Sequence, residues 1–311
     1  MPFRIRQQLL DTSIYLYPDE GSAADGARVG GSGFIVGLPL EGSNGAFTLW
    51  AVTNRHVIEQ GNWTIRLNSR SGGFECIDTD DTQWLYHPEG DDLAVRFLPM
   101  PRTAQSNFVP LDMMLTQQMA EILDIGPADS AFVIGRFIAA DGKQKNTPTV
   151  RFGQIAQCPT ENIRYDEYDQ KMWLVEVKSL NGYSGAPAFV WLDTMYYRED
   201  MKGLPGPNPQ LGNCYDHKGQ IMGRGRYDPG PFLLGVDCCM IPLWQKVCDG
   251  GGQELQSGMK VPLNTGMMGV IPAWRLIDML NANPAKPHIE DMALASIAAD
   301  QQAIATNAAS A

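Results

Sequence analysis

The stretch Asn181-Gly182-Tyr183-Ser184-Gly185-Ala186-Pro187 decides how this chain reads. It lies between two apolar runs, Met172-Val177 and Ala188-Trp191, each with the length and side-chain content of a buried strand. Glycines on both sides of one serine let the backbone turn tightly, so that the hydroxyl projects while neighbouring amides aim at one point. By itself the heptapeptide fits a glycine-rich β-turn with an incidental serine equally well. The rest of the chain has to decide between the two.

Similar short runs recur on both sides. Ser13-Tyr17, Gly33-Gly37, Phe47-Val52, Trp63-Leu67 and Leu93-Phe97 precede the middle of the chain, and Ala131-Phe137, Val150-Ile155 and Phe232-Val236 follow it. The 32 glycines and 21 prolines fall between these runs and not between long helical periods, which is the punctuation of β-barrels or sandwiches. Between the two groups, Leu111-Asp124 carries Met114, Met119, Ile122 and Leu123 at helix-like spacing and closes at Gly126-Pro127. A first unit over 1–125, including this linker helix, and a second over 126–291 are therefore expected. The second should end in a helix at Pro272-Leu280, with Leu276, Ile277 and Leu280 on one face. The alanine-rich stretch 292–311 has no strong apolar face and reads as a frayed helix or flexible tail.

Composition excludes several classes. With 311 residues, 44% apolar and 19% charged, the chain has the make-up of a globular protein and not of a disordered one. A formal charge of -11 repels phosphate backbones and anionic bilayers, so neither nucleic acid nor membrane is an expected partner. No stretch approaches the roughly 18 apolar residues of a spanning helix. Met1-Asp11 lacks the apolar run of a secretory signal. Six scattered cysteines, with the adjacent pair Cys238-Cys239, fit no ordinary disulfide framework and point to a reducing, cytoplasmic setting. Cys214-x-x-His217 followed by Cys238-Cys239 offers metal ligands, but the spacing is that of no standard finger, and neighbours on a strand point to opposite faces. No metal and no cofactor is expected. His87 and His288, each beside a proline, read as surface loop residues.

A nucleophilic serine needs a base within hydrogen-bond reach and a buried carboxylate that fixes the base's tautomer. Trp50-Ala51-Val52-Thr53-Asn54-Arg55-His56 is an apolar strand ending in a polar turn with a histidine, and Gly90-Asp91-Asp92-Leu93-Ala94-Val95 is a strand opened by an acidic pair. Taken singly, His56 also fits a structural hydrogen-bonder and Asp92 a turn residue.

Taken together, and in this order, the three segments resemble the chymotrypsin-fold (trypsin-like) serine peptidases. The family's Gly-Ser-Gly-Phe strand is matched by Gly31-Ser32-Gly33-Phe34, its Thr-x-x-His element by Thr53-Asn54-Arg55-His56, its Asp-Leu-Ala-Val element by Asp92-Leu93-Ala94-Val95, and its Gly-x-Ser-Gly-Gly-Pro element by Gly182-Tyr183-Ser184-Gly185-Ala186-Pro187. Phe132-Val133-Ile134-Gly135 is similar to the strand that opens the second barrel, and Leu234-Gly235-Val236 to the strand that lines the substrate cleft.

The resemblance implies an all-β fold of two antiparallel six-stranded barrels with the triad across their seam. Ser184 is then the nucleophile, His56 the general acid/base and Asp92 its orienting carboxylate, with the amides of Gly182 and Ser184 as oxyanion hole. Asp91 is left as a solvated turn residue. Tyr183 stands where secreted members carry an activating aspartate, and no cysteine flanks His56, as in the bacterial or intracellular branch similar to high-temperature-requirement proteases. Ala186 replaces a glycine, which is tolerated unless φ is positive there.

For substrate contact the resemblance suggests Gly235, Val236 and Lys178. Lys178 would suit an acidic residue, although a solvated lysine at a strand end is the alternative. The long Asp193-Pro231 and Gln245-Gly266 stretches should border the cleft and either select a partner protein or shut the site until that activating partner arrives. The implied activity is a cofactor-free serine endopeptidase acting on selected proteins or peptides. The alternatives are a silent pseudo-protease that holds a peptide uncut, and an enzyme latent until a partner remodels its loops.

Overall fold

The computed structural model describes residues 4–26, 30–138, 142–178, 182–192, 231–255 and 258–309, with side chains described as far as residue 299. Nearly all of Asp193-Pro231 lies outside the described residues, with Cys214, His217 and Asn181.

The first unit contains β1 (Ser13–Tyr17), β2 (Ser32–Pro39), β3 (Phe47–Thr53), β4 (Thr64–Ser69), β5 (Phe74–Ile77), β6 (Leu85–Tyr86), β7 (Ala94–Phe97), β8 (Ala104–Gln105) and β9 (Val109–Pro110). Short helices α1 (Gln7–Leu10), α2 (Glu20–Asp25) and α3 (Arg55–Glu59) are set among them. A linker with α4 (Gln117–Ile122), N-capped by Thr116, leads to the second unit. That unit contains β10 (Ser130–Gly135), β11 (Thr149–Gln157), β12 (Asn162–Tyr165), β13 (Tyr168–Lys171), β14 (Trp173–Glu176), β15 (Pro187–Trp191), β16 (Phe232–Lys246) and β17 (Lys260–Pro272), followed by α5 (Ala273–Asn281) and α6 (Lys286–Ala309).

The fold is the predominantly β one that the motifs implied. Six strands of the second unit close into a barrel in the order β10-β11-β14-β17-β16-β15. The first unit is a nine-stranded sheet whose main path runs β5-β4-β1-β2-β3-β7-β6, with β8 paired to β4 and β9 paired in parallel to β2. It is more divided than a six-stranded barrel for a local reason. Pro99, Pro101 and Pro110 supply no N–H, and the strands around them are only two residues long.

Strands β2 and β3 read as continuous apolar runs because both of their faces are covered. Ile35 and Ala51 pack inward on Ile14, Leu16, Ile65 and Leu67. The alternate residues Phe34, Val36, Trp50 and Val52 belong to a second core that runs on into the barrel through Phe132, Phe189, Leu233 and Leu234. Large side chains fully buried in this way contribute about 1.5–3 kcal/mol each. This shared core fixes the seam on which the cleft lies. Leu115 N donates to Leu233 O at 3.0 Å, tying the linker to β16.

Two expectations change in form. Gln245-Gly266 is paired strand at both ends, up to Lys246 and from Lys260. Beyond the barrel, β16 and β17 continue as a paired ribbon, with Leu243 opposite Leu263 and Lys246 opposite Lys260. Four of the glycines that suggested a loop, Gly250, Gly251, Gly252 and Gly258, lie at its tip, and the fifth, Gly266, lies within β17. The alanine-rich end is helical, since α6 runs through it to Ala309. Alanine's high helix propensity gives the backbone reason enough.

Candidate active site

His56, the expected base, is presented by α3. Val57 and Ile58 of this short helix are buried in the first unit, which leaves His56 on the face toward the cleft. His56 Nδ1 lies 2.7 Å from Asp92 Oδ2, and the His56 amide donates to Asp92 Oδ1 at 2.9 Å. Both carboxylate oxygens are thus engaged by one residue. Paired with a carboxylate, Nδ1 carries the proton, and the Nε2 lone pair remains free to accept another.

Asp92 itself is only 2% exposed. Asn54 Nδ2 donates to its carbonyl at 2.9 Å, and its amide donates to Gln170 Oε1 at 2.7 Å. Gln170 comes from the other unit, on the β12–β13 hairpin, which also sends Tyr165 and Tyr168 to the cleft wall. Sequence reasoning missed this hairpin. The available signal was the alternation of Ile163, Tyr165, Tyr168 and Gln170 with charged residues around a short turn at Asp166, whose φ is +53°.

The serine is presented by two glycine bends. Gly182 has φ +96° and Gly185 φ +85°, both in the left-handed region. A Cβ on Gly185 would collide with the Ser32 carbonyl oxygen and Thr53 Oγ1. The close approach is the purpose of the glycine, because the Gly-Ser-Gly-Phe strand clamps the loop from behind. Ser32 Oγ donates to Gly182 O at 2.6 Å and accepts from Arg136 N at 2.9 Å, and Ser32 N donates to Ser184 O at 2.8 Å.

On the opposite side Asp237 O accepts from Gly185 N at 2.8 Å, and Asp237 N donates to Ala186 O at 2.9 Å. Tyr183, fully buried, reaches into the barrel and bonds through its hydroxyl to Thr149 and to Arg151 Nε. Ala186 has a negative φ, so its methyl is accommodated. Among the described residues, Ser184 Oγ makes no hydrogen bond, and the amides of Gly182 and Ser184 donate to no acceptor.

His56, Asp92 and Ser184 line one cleft of about 600 Å³. Of the three residues suggested for substrate contact, none lines it among the described residues. Lys178 is exposed, and its carbonyl accepts from Arg151 Nη1 at 2.8 Å. Gly235 and Val236 lie inside the barrel, where a Cβ on Gly235 would strike the Ile271 carbonyl. The expected strand does border the cleft, but further along, at Cys238, Cys239 and Met240.

The acidic pair divides its work. Asp91 is not solvated. It is 6% exposed, and its Oδ2 accepts from Arg275 Nε of α5 at 2.5 Å, while Arg275 Nη2 reaches Glu89 Oε2 at 2.8 Å. His87, at 4% exposure, is likewise buried and not on the surface. Its Nδ1 accepts from Glu89 N at 3.3 Å and lies 3.6 Å from Asp91 Oδ2. Burial pushes the His87 pKa down, with the charge of Asp91 acting in the opposite direction. The Asp92 loop is therefore pinned to the second unit twice, through Gln170 and through Arg275. His288 is exposed as expected, but on α6.

No protein-family model and no curated protein matches the chain. Its backbone is similar to that of the MamO protease domain from Magnetospirillum magneticum, at 15% identity and a TM-score of 0.47, over 88% of this chain and 98% of that one. It is also similar to human heparin binding protein, at 11% identity and 0.45 over 91% and 96%. A third similar structure is the HtrA-type protease AlgW with decapeptide, at 16% identity and 0.40 over 80% and 50%.

Proposed function

We propose that the cleft is a serine endopeptidase site. The observation that supports this best is the doubly bonded Asp92–His56 pair facing the same cleft as a serine held between two left-handed glycines. Ser184 Oγ bonds to the scissile carbonyl carbon while its proton passes to His56 Nε2. The carbonyl oxygen takes the negative charge and is met by the amides of Gly182 and Ser184. Collapse of this intermediate expels the amine, which takes the proton from His56 and leaves an acyl-enzyme on Ser184. Water then repeats the cycle with His56 as base and releases the acid. Asp92 stays ionised throughout and stabilises the imidazolium.

Substrate is expected to lie along Cys238–Met240, opposite Tyr165 and Tyr168, as an extended peptide. Because Ser184 Oγ is unbonded before substrate arrives, its contact with His56 has to close on binding, as catalytic hydrogen bonds often do. The same observation favours one second reading, an enzyme latent until a partner seats the loop.

The test is cleavage of an unfolded protein such as casein, followed by mapping of new N-termini. Wild type is expected to cut, and Ser184→Ala to lose at least about a thousandfold in rate with its thermal midpoint unchanged. Equal cutting by both proteins would remove Ser184 from the role. No cutting by wild type alone would leave the latent enzyme, which a lysate should then activate, or a peptide-binding module, which it should not.

A further inference from the structure

On a regular strand Cys238 and Cys239, as neighbours, would point to opposite faces. The strand is not regular there. Pairing between β16 and β17 shifts register between Asp237 and Cys239, and this bulge turns both side chains to one side. Cys238 Sγ and Cys239 Sγ lie 3.5 Å apart, and Met172 Sδ is 3.2 Å from the first and 3.9 Å from the second.

Three sulfurs thus form a small triangle. Its floor is Gly269, where a Cβ would come within 2.8 Å of Cys239 Sγ, 2.9 Å of Met172 Sδ and 3.4 Å of Cys238 Sγ. Any other residue at 269 would displace the cluster. The two cysteines are 3% and 5% exposed, yet they line the cleft, which gives a path for entry. Gln170 Nε2 stands 3.6 Å from Cys238 Sγ and 3.7 Å from Met172 Sδ, and the Gly269 carbonyl is 3.3 Å from Cys238 Sγ.

We propose that Cys238, Cys239 and Met172 form a three-sulfur site for a soft monovalent cation of the Cu(I) type, set in the wall of the cleft. The ligand chemistry selects the ion. Thiolates bind zinc as well as Cu(I), but zinc completes a tetrahedral set of four thiolate, imidazole or carboxylate donors, whereas two thiolates and a thioether in a three-sulfur triangle suit Cu(I), and calcium and magnesium need oxygen donors. Among the described residues no group of three or more His, Cys, Asp and Glu side chains could hold a metal, so the third donor here is the thioether.

The geometry is within reach of such an ion. Metal–sulfur bonds of about 2.3 Å place three sulfurs about 3.8–4.0 Å apart; the Cys239–Met172 edge already has that length at 3.9 Å, and the 3.5 and 3.2 Å edges at Cys238 have to widen by less than about 1 Å, within reach of a side-chain rotation. Binding exchanges two thiol protons, released to solvent, for one cation and leaves two thiolates and one neutral thioether around it. A bound cation drives the thiol protons off. Affinity therefore rises with pH. Gln170 Nε2 is placed to donate to the thiolate while its Oε1 holds the Asp92 amide. The site stands whether or not the cleft hydrolyses peptides.

The test is an anaerobic titration of the full chain with Cu(I) in competition with bicinchoninate. The titration is repeated on a variant in which Cys76, Cys158, Cys214 and Cys248 are all serine. One Cu(I) per chain is expected in that variant, with X-ray absorption showing three sulfur neighbours. Cys238→Ser with Cys239→Ser should abolish it, and Met172→Leu should weaken it at least tenfold. Retention of the metal by the double variant, or an unchanged affinity in Met172→Leu, overturns the proposal. If a variant fails to fold, the wild-type chain still decides. Cu(I) at one equivalent should protect Cys238 and Cys239 from maleimide in peptide mapping, and protection of other cysteines in their place contradicts the site.

Discussion

The two walls of the cleft hold their chemistry differently. On the first-unit wall the carboxylate is held on all sides by hydrogen bonds: both Asp92 oxygens meet His56, and its amide and carbonyl meet Gln170 and Asn54. On the barrel wall the loop is braced from behind, by Ser32, Tyr183 and Asp237, while the serine hydroxyl and two amides are left free at its front. A base needs a fixed tautomer and orientation, which hydrogen bonds supply. A nucleophile and an oxyanion hole need open valences, so their positions have to come from backbone geometry and from bonds made elsewhere.

Variants can break this contrast at either wall. The largest effect is expected on the densely bonded side. Asp92→Asn should lower kcat by about ten-thousandfold with little change in KM, because the imidazole loses its fixed tautomer. Steady-state kinetics on a fluorogenic peptide checks this, and a loss below tenfold would show that the pair does not orient the base. On the barrel side, Gly185→Ala should act through stability. A methyl driven into Ser32 O and Thr53 Oγ1 at φ +85° should cost about 3 kcal/mol, read as a lower urea midpoint at constant m.

Ser32→Ala probes the brace more gently. It leaves the Arg136 amide and the Gly182 carbonyl without their buried partner and should cost about 1–3 kcal/mol in the same measurement. A rate loss should accompany it, since the loop is held from that side.

The smallest effect belongs to the outer pin of the Asp92 loop. The folded-state pKa of His87 lies below its unfolded value of about 6.5, so on acidification the unfolded chain takes up the proton first. His87 therefore contributes nothing to the pH dependence above that value. Below it, stability falls with pH until the folded-state pKa is reached. His87→Gln should flatten this limb in thermal melts between pH 7 and pH 5, and an unchanged slope would show that burial does not hold the ring neutral.

Legibility in the sequence followed distance along the chain. The strands and the motifs around His56, Asp92 and Ser184 are local patterns of apolar runs, glycines and polar turns, and the fold keeps most of them near their expected bounds. Ser13–Tyr17 is one of these. What stayed hidden depends on residues far apart. Gln170 reaches the Asp92 amide across 78 positions, and Arg275 reaches Asp91 across 184. No local signal pairs them. The β16 bulge was hidden for another reason, since strict alternation is assumed wherever a run looks extended. It brings the sulfurs of Cys238 and Cys239 within 3.5 Å of each other, on the part of the strand that lines the cleft. At the ribbon, four tip glycines masked the strands on either side of them.

Covalent labelling with a fluorophosphonate tests the central claim most directly, because it requires the hydroxyl, the imidazole and the oxyanion amides to work together on one phosphorus centre. The account predicts a single adduct on the wild-type chain, mapped by mass spectrometry to Ser184, with its rate of formation falling at least about a hundredfold in His56→Ala. An adduct at another residue, or labelling of His56→Ala at the wild-type rate, would contradict it.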